Sequence, residues 1–255
     1  MDIELMDRQD TQTTTQTAPL APRIVEHAYA DSAALAAAVA AHLHDATQRA
    51  LSHRGHALLC LAGGRTPFPA YRAFAASAGI DWDDVAIVPG DERCIAHAHP
   101  ACNVAGLRAA FASATGLRIE SLTTPNGDPT TSLAQARAML ALHHDAFDAV
   151  VLGMGEDAHT ASLFPGATGL PFALDPSAAH DAFLMQPEPL PADAPYARIT
   201  LGLARLRRAR TTHLLVTGAR KREVLRAALA SNDPLRHPVA AVLRAAQDVR
   251  VHWCP

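Results

Sequence analysis

The chain has 255 residues, of which 49% are hydrophobic and 18% charged, and its formal net charge is −3 at pH 7. This composition supports a sizeable core and excludes a globally disordered protein. Without a basic excess or a charge-free run of about eighteen apolar residues, we expect neither a nucleic-acid partner nor a membrane span.

The N-terminal residues 1–20 are predicted to form a disordered leader. They mix acids with a Thr/Gln tract and lack the apolar segment of a signal peptide. Residues 21–255 are expected to form a single domain. The four cysteines show no CxxC spacing, which is typical of a reducing compartment and predicts a cytoplasmic protein.

The rest of the chain alternates predicted helices and strands. A helix is expected from an N-cap at Asp31 to about Ser52, and further helices over 131–146 and 219–230. Short apolar runs predict strands at HALLCLAG, DVAIVPG, FDAVVLG, THLLVTG and DVRVHW. This alternation indicates an α/β fold, a mostly parallel sheet with helices on both faces. Seven prolines between Pro165 and Pro195 predict an irregular rim or lid.

The loop AGGRTP follows the first apolar run. Gly63 and Gly64 allow the backbone to approach a ligand closely, and Thr66 is predicted to cap a helix with Pro67 in its first position. Exposed N–H groups at a helix N-terminus bind anions. The loop is therefore either an anion cradle or an ordinary strand-to-helix turn.

The loop GDERCIAHAHPACN follows the next apolar run. Its Asp91, Glu92 and Arg93 indicate either a solvated loop or an active-site cluster. His97 and His99 suggest a metal, but two histidines without a convergent third ligand more often decorate a loop. We expect no metal site here.

The segment LGMGEDAHTASLFPG carries the most information. Its GMGEDA matches the G-x-G-x-x-A dinucleotide fingerprint, but two adjacent carboxylates would repel a pyrophosphate. The alternative is acid–base chemistry, because Asp157 and His159 can share one side of an extended loop, where the carboxylate orients the imidazole. We favour the second interpretation.

Cations occur near two further strand ends. Arg198 opens RITLGLARL, and Lys221, the only lysine among 22 basic residues, follows Gly218. A single lysine in an arginine-rich chain indicates a site at which a compact ammonium group faces an anion. The alternative is an exposed helix residue that is lysine by chance. The sequence has neither a nucleophile elbow nor a P-loop, which disfavours a serine hydrolase and a P-loop ATPase.

Taken in order, AGGRTP, GDERCIAHAHPACN, FDAVVLGMGEDAHTASLFPG, RITL and GARK resemble the glucosamine-6-phosphate isomerase/6-phosphogluconolactonase family, on its lactonase side. The resemblance runs from about residue 25 to the C-terminus. It implies a Rossmann-like sheet and a lactonase domain over residues 21–255. It also implies hydrolysis of 6-phospho-D-glucono-1,5-lactone, a carboxylic ester, in the oxidative pentose phosphate pathway, without metal or organic cofactor. The expected partner is the phosphosugar lactone alone, bound by a monomer or weak dimer.

The resemblance also implies roles for single residues. His159 resembles the general base, with Asp157 and Arg93 as its acidic and cationic neighbours. The residues expected to bind the substrate or its phosphate are Gly63, Gly64, Arg65, Thr66, Asp91, Asn103, Arg198 and Lys221.

This chain departs from the family pattern at several positions, and two other functions are alternatives to lactone hydrolysis. The family commonly has glycine where this chain has Ala158, which predicts strain if that residue adopts a positive φ. Serine is frequent in the family where Ala62, Arg65 and Cys102 stand. A glucosamine-6-phosphate deaminase or isomerase resembles sequences with a carboxylate five residues after the histidine, where this chain has Phe164. A sugar-phosphate sensor without catalysis is a third possibility, which the presence of Asp157 and His159 disfavours.

Overall fold

A computed structural model of the chain describes residues 23–187 and 195–255. The predicted leader over residues 1–20 lies outside the described residues. The strands of the described part are β1 (Arg23–Ala28), β2 (Ala57–Leu61), β3 (Val85–Pro89), β4 (Asp91–Arg93), β5 (Arg118–Ile119), β6 (Ala149–Gly153), β7 (Ala182–Met185), β8 (Arg198–Leu201), β9 (Thr212–Thr217) and β10 (Asp248–Cys254). Its helices are α1 (Ser32–Arg54), α2 (Phe68–Ala75), α3 (Asn103–Ala110), α4 (Pro129–Leu140), α5 (Leu170–Ala173), α6 (Leu203–Leu206), α7 (Ala219–Ala230) and α8 (Pro238–Ala245).

The main sheet has seven strands in the order β1-β10-β9-β6-β2-β3-β5, and every neighbouring pair is parallel. The five strands predicted from apolar runs are β2, β3, β6, β9 and β10. The expected parallel α/β sheet is therefore confirmed. No helix within 23–187 or 195–255 is both long enough and apolar enough to cross a membrane.

Hydrophobic cores lie on both faces of this sheet. Alternate residues of β2 belong to different cores: Leu58 belongs to the core that includes residues of α4, α7 and α8, and Leu59 to the core that includes residues of α1, α2 and α3. Side chains of a strand alternate between faces, so a strand buried on both sides is apolar throughout. This explains why β2 reads as an unbroken apolar run, and it confirms helices on both faces.

Helix α1 follows the sequence prediction closely. The side chain of Asp31 accepts a hydrogen bond from the backbone N–H of Ala34 at 2.8 Å, which satisfies a free donor of the first turn. Gly55 ends the helix in the left-handed conformation, with φ of 76°. The helix thus extends two residues beyond the predicted Ser52.

Two helix boundaries differ from expectation. Thr66 does not cap α2, which begins at Phe68 with Pro67 as the N-cap residue. A cap at Thr66 would put Pro69 in the third helical position, which leaves the hydroxyl only one of the two N–H groups that an N-cap side chain can bind. The helix expected over 131–146 is α4, which starts earlier, after the Asp128 cap, and ends at Leu140 in a tight turn.

The proline-rich segment also differs from the predicted rim or lid. Its described part, up to residue 187, contains the short helix α5 and the strand β7 rather than irregular chain alone. None of the described residues between 166 and 187 lines the cavity described below. Strand β7 pairs with β8 because its apolar side chains extend the sheet over the core. Residues 188–194 lie outside the described part.

A second, antiparallel sheet has the order β4-β8-β7. Its register places Asp91 opposite Thr200 and Arg93 opposite Arg198. Strands of three or four residues with charged side chains carry little sequence signal, and this sheet was not predicted. The pairing of β4 with β8 brings three charged side chains of the candidate site, those of Asp91, Arg93 and Arg198, next to one another.

Candidate functional site

A cavity of about 310 Å³ lies at the carboxyl ends of β2, β3, β6 and β9. Ligands of open parallel sheets bind at this end, where strands lead into loops. Ten of the eleven residues expected at the site line it: Gly63, Gly64, Arg65, Thr66, Asp91, Arg93, Asn103, His159, Arg198 and Lys221. The eleventh, Asp157, contacts His159. Leu152, Met154 and Leu215 add an apolar part to the wall.

Asp157 and His159 form a hydrogen-bonded pair. Nδ1 of His159 lies 2.6 Å from Oδ1 of Asp157, and the backbone N–H of His159 donates to the same oxygen at 3.2 Å. Partial burial opposes ionisation of Asp157, but the hydrogen bond and charge of His159 outweigh it and lower the pKa of that carboxyl. A carboxylate that accepts the Nδ1 proton leaves the lone pair on Nε2. The pair therefore presents Nε2 as the ring nitrogen able to accept a proton.

Phe164 packs beside this pair. Its ring centroid lies 4.1 Å from that of His159, with the planes tilted by 31°. Cζ of Arg198 lies 5.0 Å from the centroid of the same ring. The position at which a deaminase-like sequence would carry a carboxylate thus holds a buried aromatic ring that contacts two site residues.

Asp91 is held by three neighbours at the cavity wall. Oγ of Ser162 donates to Oδ2 of Asp91 at 2.5 Å, and Nδ2 of Asn103 donates to Oδ1 at 3.3 Å. Nη1 of Arg198 lies 4.0 Å from Oδ2. Because Ser162, Asp91 and Arg198 are all buried, these contacts fix the carboxylate in one orientation.

Glu92 links β4 to the start of α3 through hydrogen bonds, although no site role was predicted for it. It is fully buried and accepts backbone hydrogen bonds from Arg93, Asn103 and Val104, each at 2.8 Å. Burial raises the pKa of Glu92, and these hydrogen bonds oppose the increase. A carboxylate at the start of α3 satisfies free N–H groups there. The sequence shows the charged run DER, but it does not show which of the two acids in that run is buried.

Asn103 then connects two loops. Its Oδ1 accepts from Nη1 of Arg93 at 3.0 Å, and a Cβ added at Gly63 would lie 2.0 Å from the same oxygen. Glycine is therefore required at position 63 by this close approach. Position 64 favours glycine for another reason: the φ of Gly64 is 95°, a left-handed value that other residues rarely adopt.

The dinucleotide interpretation of GMGEDA finds no support in the geometry. A dinucleotide site places the pyrophosphate at a helix that begins within the fingerprint. After β6, the first helix in the described part begins at Leu170. The segment instead forms turns that carry Ala158 at φ of 66°, the positive value at which strain was expected.

His97 and His99 lie outside the cavity lining. Nε2 of His97 lies 3.1 Å from both the carbonyl oxygen and Oγ1 of Thr123. Nε2 of His99 lies 3.4 Å from the hydroxyl of Tyr196. Within the described ranges, no group of three or more His, Cys, Asp or Glu side chains is arranged to hold a metal ion.

Known proteins are similar to this chain in sequence and in fold. Residues 30–253 match the family of glucosamine-6-phosphate isomerases/6-phosphogluconolactonase. A 6-phosphogluconolactonase of Pseudomonas aeruginosa is 36% identical over 87% of this chain and 89% of its own. One of Mesorhizobium japonicum is 37% identical over 90% of this chain and 94% of its own. The crystal structure of a 6-phosphogluconolactonase from Shewanella baltica superposes with a TM-score of 0.84 at 30% identity, covering 91% of this chain and 98% of the other. The chain belongs to the glucosamine-6-phosphate isomerase/6-phosphogluconolactonase family.

Proposed function

We propose that this protein hydrolyses 6-phospho-D-glucono-1,5-lactone to 6-phospho-D-gluconate, as a carboxylic ester hydrolase of the pentose phosphate pathway. One observation carries the proposal: the imidazole of His159, held by Asp157, lines the same cavity as Arg65, Arg93, Arg198 and Lys221. A base and a cluster of cations in one cavity suit a neutral ester whose far end is a phosphate. Relatives over most of the chain are 6-phosphogluconolactonases.

The proposed chemistry starts with water. Nε2 of His159 takes a proton from a water molecule, whose oxygen attacks C1 of the lactone. Asp157 stabilises the imidazolium that forms, as a carboxylate does for a catalytic histidine. The tetrahedral intermediate then expels the ring oxygen, which receives the proton from the imidazolium. The products are a free hydroxyl and a carboxylic acid, which becomes a carboxylate by releasing its proton to solvent, and the base returns to its neutral form.

The oxyanion that develops at C1 needs donors. Arg93 offers a guanidinium fixed by Asn103, and the loop of Gly63 and Gly64 offers backbone N–H groups. Donors that are preorganised before the reaction stabilise a transition state without reorganisation at the moment of attack. We propose Arg93 or this loop for that role, with Asp91 and Asn103 facing the sugar hydroxyls.

The phosphate end is proposed to be bound by Gly63, Gly64, Arg65, Thr66, Arg198 and Lys221. Charged donors form shorter and stronger hydrogen bonds to phosphate than neutral ones. Lys221 lies in the first turn of α7, where the helix dipole also favours an anion.

A deaminase or isomerase is the second candidate, since a glucosamine-6-phosphate deaminase shares the fold. The ring of Phe164 disfavours it, because that position supplies no proton carrier next to His159. We further propose a cytoplasmic enzyme with a single domain over residues 21–255, a monomer or weak dimer that needs no metal or organic cofactor and has no nucleic-acid or membrane partner.

The test is proton release from freshly generated phosphogluconolactone, with spontaneous hydrolysis subtracted, run beside glucosamine 6-phosphate with ammonia detection. His159→Gln should lower kcat about a hundredfold or more, as expected for loss of a general base. The same substitution at His180, an exposed residue, serves as the matched control. Ammonia release, or no acceleration of lactone hydrolysis by the unaltered protein, would refute the proposal.

A further inference from the structure

The imidazole of His159 needs more than Asp157 to fix it. A single hydrogen bond at Nδ1 sets the tautomer but lets the ring rock about the contact, which moves Nε2. The backbone at Gly155 closes one side, since a Cβ added there would lie 2.3 Å from both Nδ1 and Cε1 of His159. A further contact is made by the ring of Phe164, whose centroid lies 4.1 Å from that of the imidazole.

Phe164 acts from behind the cavity wall. Its side chain is 6% exposed and belongs to the core on the α4, α7 and α8 face of the sheet. It does not line the cavity, so it is placed to act on the substrate through its neighbours. The core therefore holds the imidazole through a rigid ring with few rotamers.

The same ring also contacts the guanidinium of Arg198, at 5.0 Å from its centroid. In the proposed reaction His159 becomes a cation that contacts the same ring as this permanent cation. The face of an aromatic ring attracts both cations, whereas an aliphatic side chain of similar volume fills the same space without this electrostatic attraction. Phe164 thus fits a position that must support an imidazole whose charge changes during each turnover.

We propose that Phe164 is a positioning residue for lactone hydrolysis, whose ring holds the imidazole of His159 in the plane from which Nε2 reaches the attacking water. This inference rests on the proposed function. It assigns to Phe164 an effect on the chemical step, separate from its packing in the core.

The chain offers a matched control at Phe147. That residue is fully buried in the same core, and Cζ of Arg205 lies 3.6 Å from its ring centroid. It precedes β6, whereas the cavity lies beyond the other end of that strand. Phe→Leu at positions 147 and 164 therefore removes the same atoms from the same core, with an arginine over the ring in both cases.

The experiment measures kcat, KM and the thermal midpoint for Phe164→Leu, Phe147→Leu and Phe164→Tyr. We expect Phe164→Leu to lower kcat about tenfold or more, since a small misplacement of a catalytic group is costly. Its KM should stay within about threefold, because the cations that bind the phosphate remain. Phe147→Leu should keep kcat within about twofold despite lost stability, and Phe164→Tyr, which retains the ring, within about threefold.

The outcomes separate the inference from the function on which it rests. An unaltered protein without lactonase activity refutes the function. An active protein in which Phe164→Leu keeps its kcat, or loses no more than Phe147→Leu, overturns the positioning role and leaves the function intact. Should Phe164→Leu fail to fold, Phe164→Met takes its place, because methionine fills irregular gaps in cores, and the same criteria apply.

Discussion

Gly155 and His159 lie so close together that no side chain fits between them. A Cβ built on Gly155 would lie 2.3 Å from Nδ1 of His159 and 2.4 Å from Oδ1 of Asp157. The N–H of Gly155 also donates to the carbonyl oxygen of His159 at 3.0 Å, which closes the loop on itself. The glycine therefore helps to hold the hydrogen-bonded pair of Asp157 and His159 together.

Gly155→Ala should displace the imidazole or break its bond to Asp157, and kcat should fall about a hundredfold. Gly90→Ala is the control, because a Cβ there meets only Sγ of Cys60 at 3.6 Å and Cδ2 of Leu152 at 4.0 Å, ordinary contact distances. Steady-state kinetics on the phosphorylated lactone measure both variants. Equal activity of Gly155→Ala and the unaltered protein would show that the pair of Asp157 and His159 does not depend on its close contact with Gly155.

Lys221 provides a second prediction, on the binding of phosphate. Lys221→Ala should raise KM for the phosphorylated lactone about tenfold or more, the scale of a lost charged hydrogen bond, and change turnover of an unphosphorylated lactone little. Arg220→Ala is the control, since Arg220 pairs with Glu223 at 3.8 Å on the exposed side of α7 and does not line the cavity. Equal losses on both substrates would contradict a phosphate role for Lys221.

The placement of the site was predictable because loops after parallel strands must meet at one edge. The segments that follow β2, β3 and β6 supply Gly63, Asp91 and His159 to one cavity, as expected from the apolar runs before them. The orientation of Asp157 towards His159 was also predictable, from the spacing of two residues. Both inferences use local pattern and the geometry common to all parallel sheets.

The remaining features depend on contacts between distant parts of the chain. Glu92 is fully buried because α3 presents its N-terminus to it, and nothing in DER marks it as the inward acid. Ser162 meets Asp91 across 71 positions, and β4 pairs with β8 across more than 100. Thr66 does not cap α2, in which Pro69 would have removed one of the two N–H groups that a capping hydroxyl can bind. Such pairings need the folded chain.

Away from the site, four histidines form a cluster between α1 and the β1-β10-β9 side of the sheet. Nδ1 of His213 lies 3.0 Å from Nε2 of His252, whose Nδ1 lies 2.9 Å from the hydroxyl of Tyr29. Nη1 of Arg250 lies 3.0 Å from Nδ1 of His42. The members of this histidine cluster are His27, His42, His213 and His252.

The histidine cluster should make the fold sensitive to acid. Burial, together with the charges of His42, His27 and Arg250, lowers the pKa of His252 to about 3, and burial also lowers the pKa of His213. The unfolded chain, with a histidine pKa of about 6.5, then binds more protons than the folded one at intermediate pH. Stability is complete above about pH 6.5 and is lost as the pH falls towards about 3.

For His252 alone the linkage relation gives a loss of about 2 kcal/mol between pH 7.5 and pH 5. Urea unfolding at the two pH values measures it. His252→Gln should reduce this difference by about that amount, whereas His180→Gln, at an exposed position, should leave it unchanged. A free energy of unfolding equal at both pH values would show that the cluster does not titrate as the geometry requires.

Ala158 and Ala161 both have positive φ, 66° and 48°, in the loop that carries His159. The left-handed conformation costs a residue with a Cβ about 1–2 kcal/mol, and glycine costs about 0.5–1 kcal/mol in chain entropy. For Ala161, which is partly exposed, the difference favours glycine, so Ala161→Gly should raise the free energy of unfolding by about 0.5–1 kcal/mol.

Ala158 is different because the residue is only 2% exposed, and removing a buried methyl group costs about 0.8 kcal/mol. This cost offsets the relief of strain, so Ala158→Gly should leave the free energy of unfolding within about 0.5 kcal/mol of its original value. Denaturant midpoints with unchanged slopes measure both variants. Losses above about 1 kcal/mol in both would mean that neither alanine is strained, and the loop would then hold His159 without stored backbone energy.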